Sequence, residues 1–98
     1  MTDLYAIRAE HEAGLFARLL ATEEGRYFVH WLMDVAGVHA ASFADTEAVT
    51  AYREGRRSIG LIVRELVQQV DPQYLWRMDQ EALNREAYYV ARAGQDND

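Results

Sequence analysis

The stretch Thr50-Ala-Tyr-Arg-Glu-Gly-Arg-Arg-Ser-Ile-Gly60 lies mid-chain, inside the longest helix that the sequence predicts. Around it, apolar residues recur at steps of three and four, the spacing that places side chains on one helix face. This face comprises Val49, Tyr52, Ile59, Val63, Leu66 and Val70, with Arg56 as its charged member. We expect the helix to begin at Asp45 or Thr46 and to end near Val70, because the following Asp71-Pro72 disfavours further helix.

Three further helices are predicted around this central one. Their starts carry Thr or Asp, whose side chains cap helices, and two of their ends carry Gly, which favours termination. The expected bounds are Thr2 or Asp3 to about Leu20, Thr22 to Gly37, and Pro72 to about Ala93 with Gly94 as the stop.

The apolar faces of these helices are the predicted core. They comprise Leu4, Ile7, His11, Leu15 and Leu19 in the first helix, Phe28, Trp31, Leu32 and Val35 in the second, and Leu75, Met78, Ala82 and Tyr89 in the fourth. Phe43 is expected to cover the core. Strand-like alternation and Asn-Gly or Asp-Gly turns are absent from the sequence. We therefore predict an all-α, compact bundle of about four helices with short connections and the two middle helices at its centre, forming a single domain over residues 1–94 with a disordered tail at residues 95–98.

Composition narrows the function classes. The chain has 98 residues, a net charge of -6 and no cysteine, so disulfide and thiolate chemistry are excluded. Neither a bilayer-length apolar run nor a secretory signal is visible, which makes the cytosol, or a particle assembled there, the expected location. The negative charge disfavours general nucleic-acid binding, which depends on phosphate neutralisation.

The cationic cluster of the central helix divides by spacing. Arg56 falls on the apolar face, where a charge needs a partner, and we expect a structural ion pair with Asp34, Asp45 or Glu24. The alternative is that Arg56 projects outward to grip a partner or a phosphate. Arg53, Arg57 and Arg64 fall off that face, on a stripe with Gly60, and form either a solvated surface or a binding stripe for an acidic protein or nucleic acid.

Glycines inside predicted helices indicate close packing. The tripeptide Glu-Gly-Arg occurs twice, at residues 24–26 and 54–56. Each glycine weakens its helix by about 1 kcal/mol relative to Ala. We therefore predict that Gly25, Gly55 and Gly60 permit close approach between helices, although the repeated tripeptide can also be a coincidence.

The sequence does not indicate an enzyme or a cofactor. His11, His30 and His39 show no metal-ligand spacing, so no metal site is predicted. Phosphate loops, nucleophile elbows and zinc-protease motifs are also missing.

The last helix carries more apolar and aromatic residues than one bundle contact can cover. Tyr74, Trp76 and Tyr88 lie largely off its predicted core face, and such residue types are enriched at protein interfaces. We interpret them as candidate partner-binding residues, which predicts an oligomer or a component of an assembly.

An ordered pattern of residues resembles a small family of tailed-bacteriophage proteins, the type named from a Bordetella podovirus. The pattern comprises Leu15-Phe-Ala-Arg-Leu-Leu20, Thr22-Glu-Glu-Gly-Arg26, Leu32, Gly37-Val38, Ser42-Phe43, the segment Thr50 to Leu61, and an apolar run to Asp71-Pro72. The resemblance thus covers residues 15 to 72. The family's marked positions map to Gly25, Arg26, Tyr52, Glu54, Gly55, Arg56, Arg57 and Gly60.

The resemblance implies a phage protein encoded among head and packaging genes, without a catalytic residue to assign. The expected function is a non-enzymatic structural or assembly protein that contacts capsid, portal or internal phage proteins and other copies of itself through its helices. Its expected location is the virion, the host cytoplasm during assembly, or both. The alternative is a small nucleic-acid-binding phage regulator that uses the arginine stripe.

Overall fold

Four α-helices make up nearly all of the chain that the computed structural model describes, residues 3–39 and 46–96. They are α1 (Leu4–Leu20), α2 (Glu23–Val35), α3 (Glu47–Val70) and α4 (Gln73–Asp96). Strands are absent from these described residues. The prediction of an all-α bundle of four helices is confirmed. The expectations for Phe43, and for Thr2 and Asp45 as helix starts, concern residues outside the described ranges.

Each helix begins where a side chain satisfies a free backbone N–H. The capping oxygens accept from the N–H groups of the first turn, at distances of 2.9 to 3.2 Å. The capping residues are Asp3, Thr22, Thr46 and Asp71. Because such capping depends on residues close in sequence, the helix starts agree with the prediction.

The end of α4 differs from the prediction. The helix passes through Gly94 and continues to Asp96, so residues 95 and 96 are helical instead of belonging to a disordered tail. Glycine stops a helix when it adopts a left-handed conformation and the chain folds back. Among the described residues, Gly37 alone has this positive φ.

The core lies where α2 crosses the other helices, and α2 contacts all three of them. The buried apolar residues of this core are Leu20, Val29, Met33, Ala36, Val38, Val67 and Met78. Val63, Val70, Tyr74 and Leu75 pack around them. The predicted central position of the middle helices therefore agrees with the structure.

The inward faces of α1 and α2 differ from those predicted. On α1, Leu4, Ile7, His11 and Leu15 are exposed, and burial begins at the carboxyl end with Leu20. On α2, Phe28, Trp31 and Val35 are exposed, while Val29 and Met33 are buried. Both sides of α2 are apolar, so spacing alone could not select between them. The selected side carries Gly25 and Ala36, whose small size lets neighbouring elements approach.

On α3, only the carboxyl-terminal half of the predicted face points inward. Val63, Leu66 and Val70 of that face are half-buried, whereas Tyr52, Arg56 and Ile59 are exposed, and the buried residues of the helix are Gly60 and Val67. The cause is that Gly60, which has no side chain, lets the end of α2 pack directly against α3. A Cβ atom added at Gly60 would lie 2.5 Å from Val38 Cγ2 and 2.6 Å from Ala36 Cβ.

The turn after α2 is built on Gly37. With φ at 79°, Gly37 donates to the Asp34 carbonyl at 2.9 Å, and Val38 donates to the Met33 carbonyl at 3.1 Å. This pair of bonds defines a Schellman turn, which commonly carries an apolar contact at its last residue. Here that residue is Val38, which is buried against Gly60.

The three glycines predicted to pack helices have different surroundings. A Cβ at Gly25 would overlap the carbonyl oxygen of Leu19, so Gly25 permits the tight turn between α1 and α2. Gly60 seats the turn after α2. A Cβ at Gly55 would meet no atom of the described residues within 4 Å, so Gly55 does not mark a helix crossing within this part of the chain.

These glycines provide a matched pair of substitutions on one helix. We predict that Gly60→Ala lowers the free energy of unfolding by about 1–3 kcal/mol, because the short side chains of Ala36 and Val38 cannot rotate away. Gly55→Ala should raise it by about 0.5–1 kcal/mol through the better helix propensity of Ala. Urea unfolding followed by circular dichroism measures both, and equal effects of the two changes would contradict the packing described for Gly60.

Candidate functional site

An ion pair between the buried Arg26 and the half-buried Glu81 connects three helices at the carboxyl end of α1. Arg26, 4% exposed, donates from Nε to Glu81 Oε1 at 2.8 Å and from Nη2 to Glu81 Oε2 at 2.9 Å. Its Nη1 donates to the carbonyl of Leu20 at 2.9 Å. A planar guanidinium can form these parallel bonds to a carboxylate while a third donor remains for the backbone. One side chain of α2 therefore ties α1 to α4.

The ion pair changes the pKa of both partners. The hydrogen bonds from Arg26 hold the pKa of the Glu81 carboxyl below its usual value, although burial opposes this effect. The same bonds raise the pKa of Arg26. Both groups therefore remain charged, and a charged pair so little exposed is strongly destabilising to break.

The buried arginine is therefore Arg26, whereas the prediction had placed Arg56 on a buried face. The structure places Arg56 on the surface, with its guanidinium 5.8 Å from the ring centre of Tyr52 and close to Gly37. Of the three expected partners, Asp34 contacts His30 and His39, Glu24 is exposed in the first turn of α2, and Asp45 is outside the described residues. The amino-terminal half of the predicted α3 face, which includes Tyr52, Arg56 and Ile59, is exposed, and Arg56 is therefore not buried.

Part of the expected arginine stripe on α3 points towards the bundle. Arg53 and Arg57 are half-buried, and Arg64 is exposed. The Nε atom of Arg57 is buried and has no hydrogen-bond acceptor among the described residues. Arg57 and Arg64 both line a cavity with Met33, Val38, His39, Leu61, Leu75 and Asp79. The stripe is therefore partly turned into the bundle and does not form an open basic surface.

The candidate partner-binding aromatic residues of α4 also differ in their burial. Tyr74 packs against the core, whereas Trp76 and Tyr88 are exposed. Trp76 forms an exposed row with Leu83 and Val90, which we call the α4 ridge. Its members are seven residues apart, a spacing that keeps them on one side of a helix.

A group of polar side chains near the end of α2 was missed by the sequence analysis. His39 Nδ1 lies 2.9 Å from Asp34 Oδ1, and His30 Nδ1 lies 3.4 Å from Asp34 Oδ2. On its other side, His30 Nε2 lies 3.6 Å from Asp79 Oδ1 of α4. We call His30, Asp34 and His39 the His–Asp cluster. The four-residue spacing of His30 and Asp34 was a visible signal, but the return of His39 depends on the Gly37 turn.

Comparison with known proteins assigns the family. The model of the Bbp19-like phage protein family matches residues 16–80, and the chain belongs to this family. The matched range includes Arg26, Gly60 and the His–Asp cluster and ends just before Glu81. Neither a curated protein nor a solved structure matches the chain. Within the described residues, no helix has the length and hydropathy needed to cross a membrane.

Replacing Glu81 by its uncharged isostere tests the ion pair. We predict that Glu81→Gln lowers the free energy of unfolding at pH 7 by about 3–5 kcal/mol, because Arg26 is left buried without a countercharge. Since the folded pKa of Glu81 lies below its ordinary value of 4.5, the pair's contribution is complete above that pH and is lost as the pH falls. The difference between the two proteins should therefore narrow below pH 4.5.

Urea unfolding of both proteins at a series of pH values from neutral to acidic measures this difference. The control is Glu86→Gln, at an exposed position of the same helix, which should change the stability by less than about 0.5 kcal/mol. A loss for Glu81→Gln that stays constant across the pH series would show that ion pairing is not its cause.

Proposed function

We propose that this phage protein is a non-enzymatic structural or assembly component that works through helix-mediated contacts with other proteins. The observation that carries the proposal is the amount of apolar surface left outside its core. Among the described residues, seven hydrophobic side chains are buried, whereas eighteen large hydrophobic ones are exposed. Large exposed apolar patches on soluble proteins mark interaction sites.

Two helices carry several of these exposed residues on one side. The α4 ridge extends over Trp76, Leu83 and Val90. On α2, Phe28 and Trp31 are exposed with their ring centres 6.1 Å apart. Trp supplies large contact areas at low cost in side-chain entropy, and aromatic residues are the types enriched at interface centres.

The edge between these two helices is held by polar aromatic contacts. The hydroxyl groups of Tyr27 and Tyr89 lie 2.8 Å apart, and the guanidinium of Arg85 lies 3.8 Å from the ring centre of Tyr27. Such contacts fix the relative position of α2 and α4. A partner would therefore meet a preformed surface, which reduces the entropy lost on binding.

The dimensions of the molecule also support a role in an assembly. Its extents are 66 × 39 × 18 Å, and its radius of gyration is 17.0 Å. A domain of about 100 residues usually has a radius of gyration of about 13 Å. The helices thus spread in a thin layer with much surface relative to its core, which suits a protein completed by its neighbours.

The proposed partners are other phage proteins of the capsid, portal or particle interior, and other copies of this chain. The proposed location is the virion or the host cytoplasm during assembly. The alternative of a nucleic-acid-binding regulator loses support from the half-buried positions of Arg53 and Arg57, and the net charge of -6 also opposes it.

A charge placed on the α4 ridge tests this proposal. We predict that the wild-type chain self-associates as its concentration rises, and that Leu83→Lys weakens this association at least tenfold, because the interface would have to desolvate an ammonium group. Light scattering coupled to size-exclusion chromatography measures the mass. Circular dichroism should show an unchanged helix content, since Leu83 is exposed.

The matched control is Gln68→Lys, which adds the same charge at an exposed position of α3. It should associate like the wild type. A wild-type chain that stays monomeric at all concentrations, and that also fails to copurify with phage particles or assembly intermediates, would contradict the proposed function.

A further inference from the structure

The His–Asp cluster brings two imidazoles to one carboxylate. Its three side chains each offer a ligand atom, and these atoms all lie within 4.8 Å of one another. The Nδ1 atoms of His39 and His30 approach different oxygens of Asp34, at 2.9 and 3.4 Å. In a tetrahedral zinc site with bonds of 2.0–2.1 Å, neighbouring ligand atoms are about 3.3 Å apart. The two separations between a histidine and Asp34 are close to that value.

The fold holds these ligands in place by two independent features. His30 and Asp34 are four residues apart on α2, so they lie on the same side of the helix. The Schellman turn at Gly37 then returns the chain, and the burial of Val38 against Gly60 fixes the position of the next residue, His39. The rings of His30 and His39 are stacked with centres 5.7 Å apart.

We propose that His30, Asp34 and His39 bind a divalent transition-metal ion of the zinc type, with solvent completing the coordination. Two imidazoles and one carboxylate are a ligand set that suits zinc, and three protein ligands leave a fourth position open. His30 is 11% exposed and provides the inner wall, while Asp34 and His39 reach solvent and leave the site accessible.

Asp79 supports the site from α4. It lies 3.6 Å from His30 Nε2, the ring nitrogen that faces away from Asp34. A carboxylate in this position orients a metal-binding imidazole and increases its basicity. Bound metal would therefore link the end of α2 to α4 through His30.

The surrounding charges are compatible with a cation. His30, Asp34, His39 and Asp79 line one cavity with the apolar residues Ala82 and Leu83. Arg57 and Arg64 line the adjacent cavity, whose wall also includes His39 and Asp79. In the cavity that contains all three proposed ligands, the charged side chains are the carboxylates of Asp34 and Asp79.

Titration of the tag-free full chain with ZnSO4 tests the proposal. Isothermal titration calorimetry should show one saturable site per chain, and zinc should raise the melting temperature until EDTA removes it. His39→Ala should weaken binding by more than a hundredfold while the metal-free protein keeps its melting temperature, because this side chain is half exposed. Asp79→Asn should weaken binding about 10- to 100-fold through the orientation of His30.

The control is His11→Ala, which removes an exposed histidine of α1 and should leave the zinc affinity unchanged. Visible absorption of the Co²⁺-loaded protein should also show the intense bands of a tetrahedral site, and His39→Ala should lose them. The absence of saturable zinc binding, or equal binding by wild type and His39→Ala, would overturn the proposal. This test is independent of self-association, so its failure and that of the proposed function are distinguishable.

Discussion

The guanidinium of Arg26 is the point on which the arrangement of this bundle depends. Its position is tightly constrained, because its N–H groups donate to both oxygens of Glu81 and to the carbonyl of Leu20 at the same time. The carbonyl belongs to the last residue of α1, where backbone C=O groups have no N–H partner within the helix. Burial of Arg26 is therefore possible only when α1, α2 and α4 take the positions seen here, so the ion pair favours this packing over other arrangements of four helices.

A second constraint acts at the opposite end of α2. There, Gly60 lets the turn containing Ala36 and Val38 lie directly on α3. Together the two contacts fix α2 against all three other helices with few large side chains inside. The consequence is a small core and broad apolar surfaces on the outside, which links the packing of the bundle to its proposed role in an assembly.

Much of the fold could be predicted from the sequence because its signals are local. Thr22, Thr46 and Asp71 cap helices through atoms two or three residues away, so the helix starts needed no tertiary information. The buried face of each helix was harder to predict, since α2 and α3 are apolar on more than one side. The two Glu-Gly-Arg tripeptides show the limit: Arg26 is buried and Arg56 is exposed, although the two residues before each arginine are identical. Arg26 is buried because it pairs with Glu81, which is 55 residues away in the sequence. The His–Asp cluster likewise depends on a turn whose geometry spacing does not reveal.

The apolar surface outside the core is proposed to contact another protein during phage growth. Because the chain contains no lysine, a photo-crosslinking amino acid at position 83 is better suited than amine reagents. Illumination of infected cells, followed by mass spectrometry of the adducts, identifies what lies against the α4 ridge. We predict an adduct with a second copy of the chain or with a phage structural protein, formed at position 83 and not at position 68. Equal yields at the two positions, or no adduct at position 83, would contradict the claim.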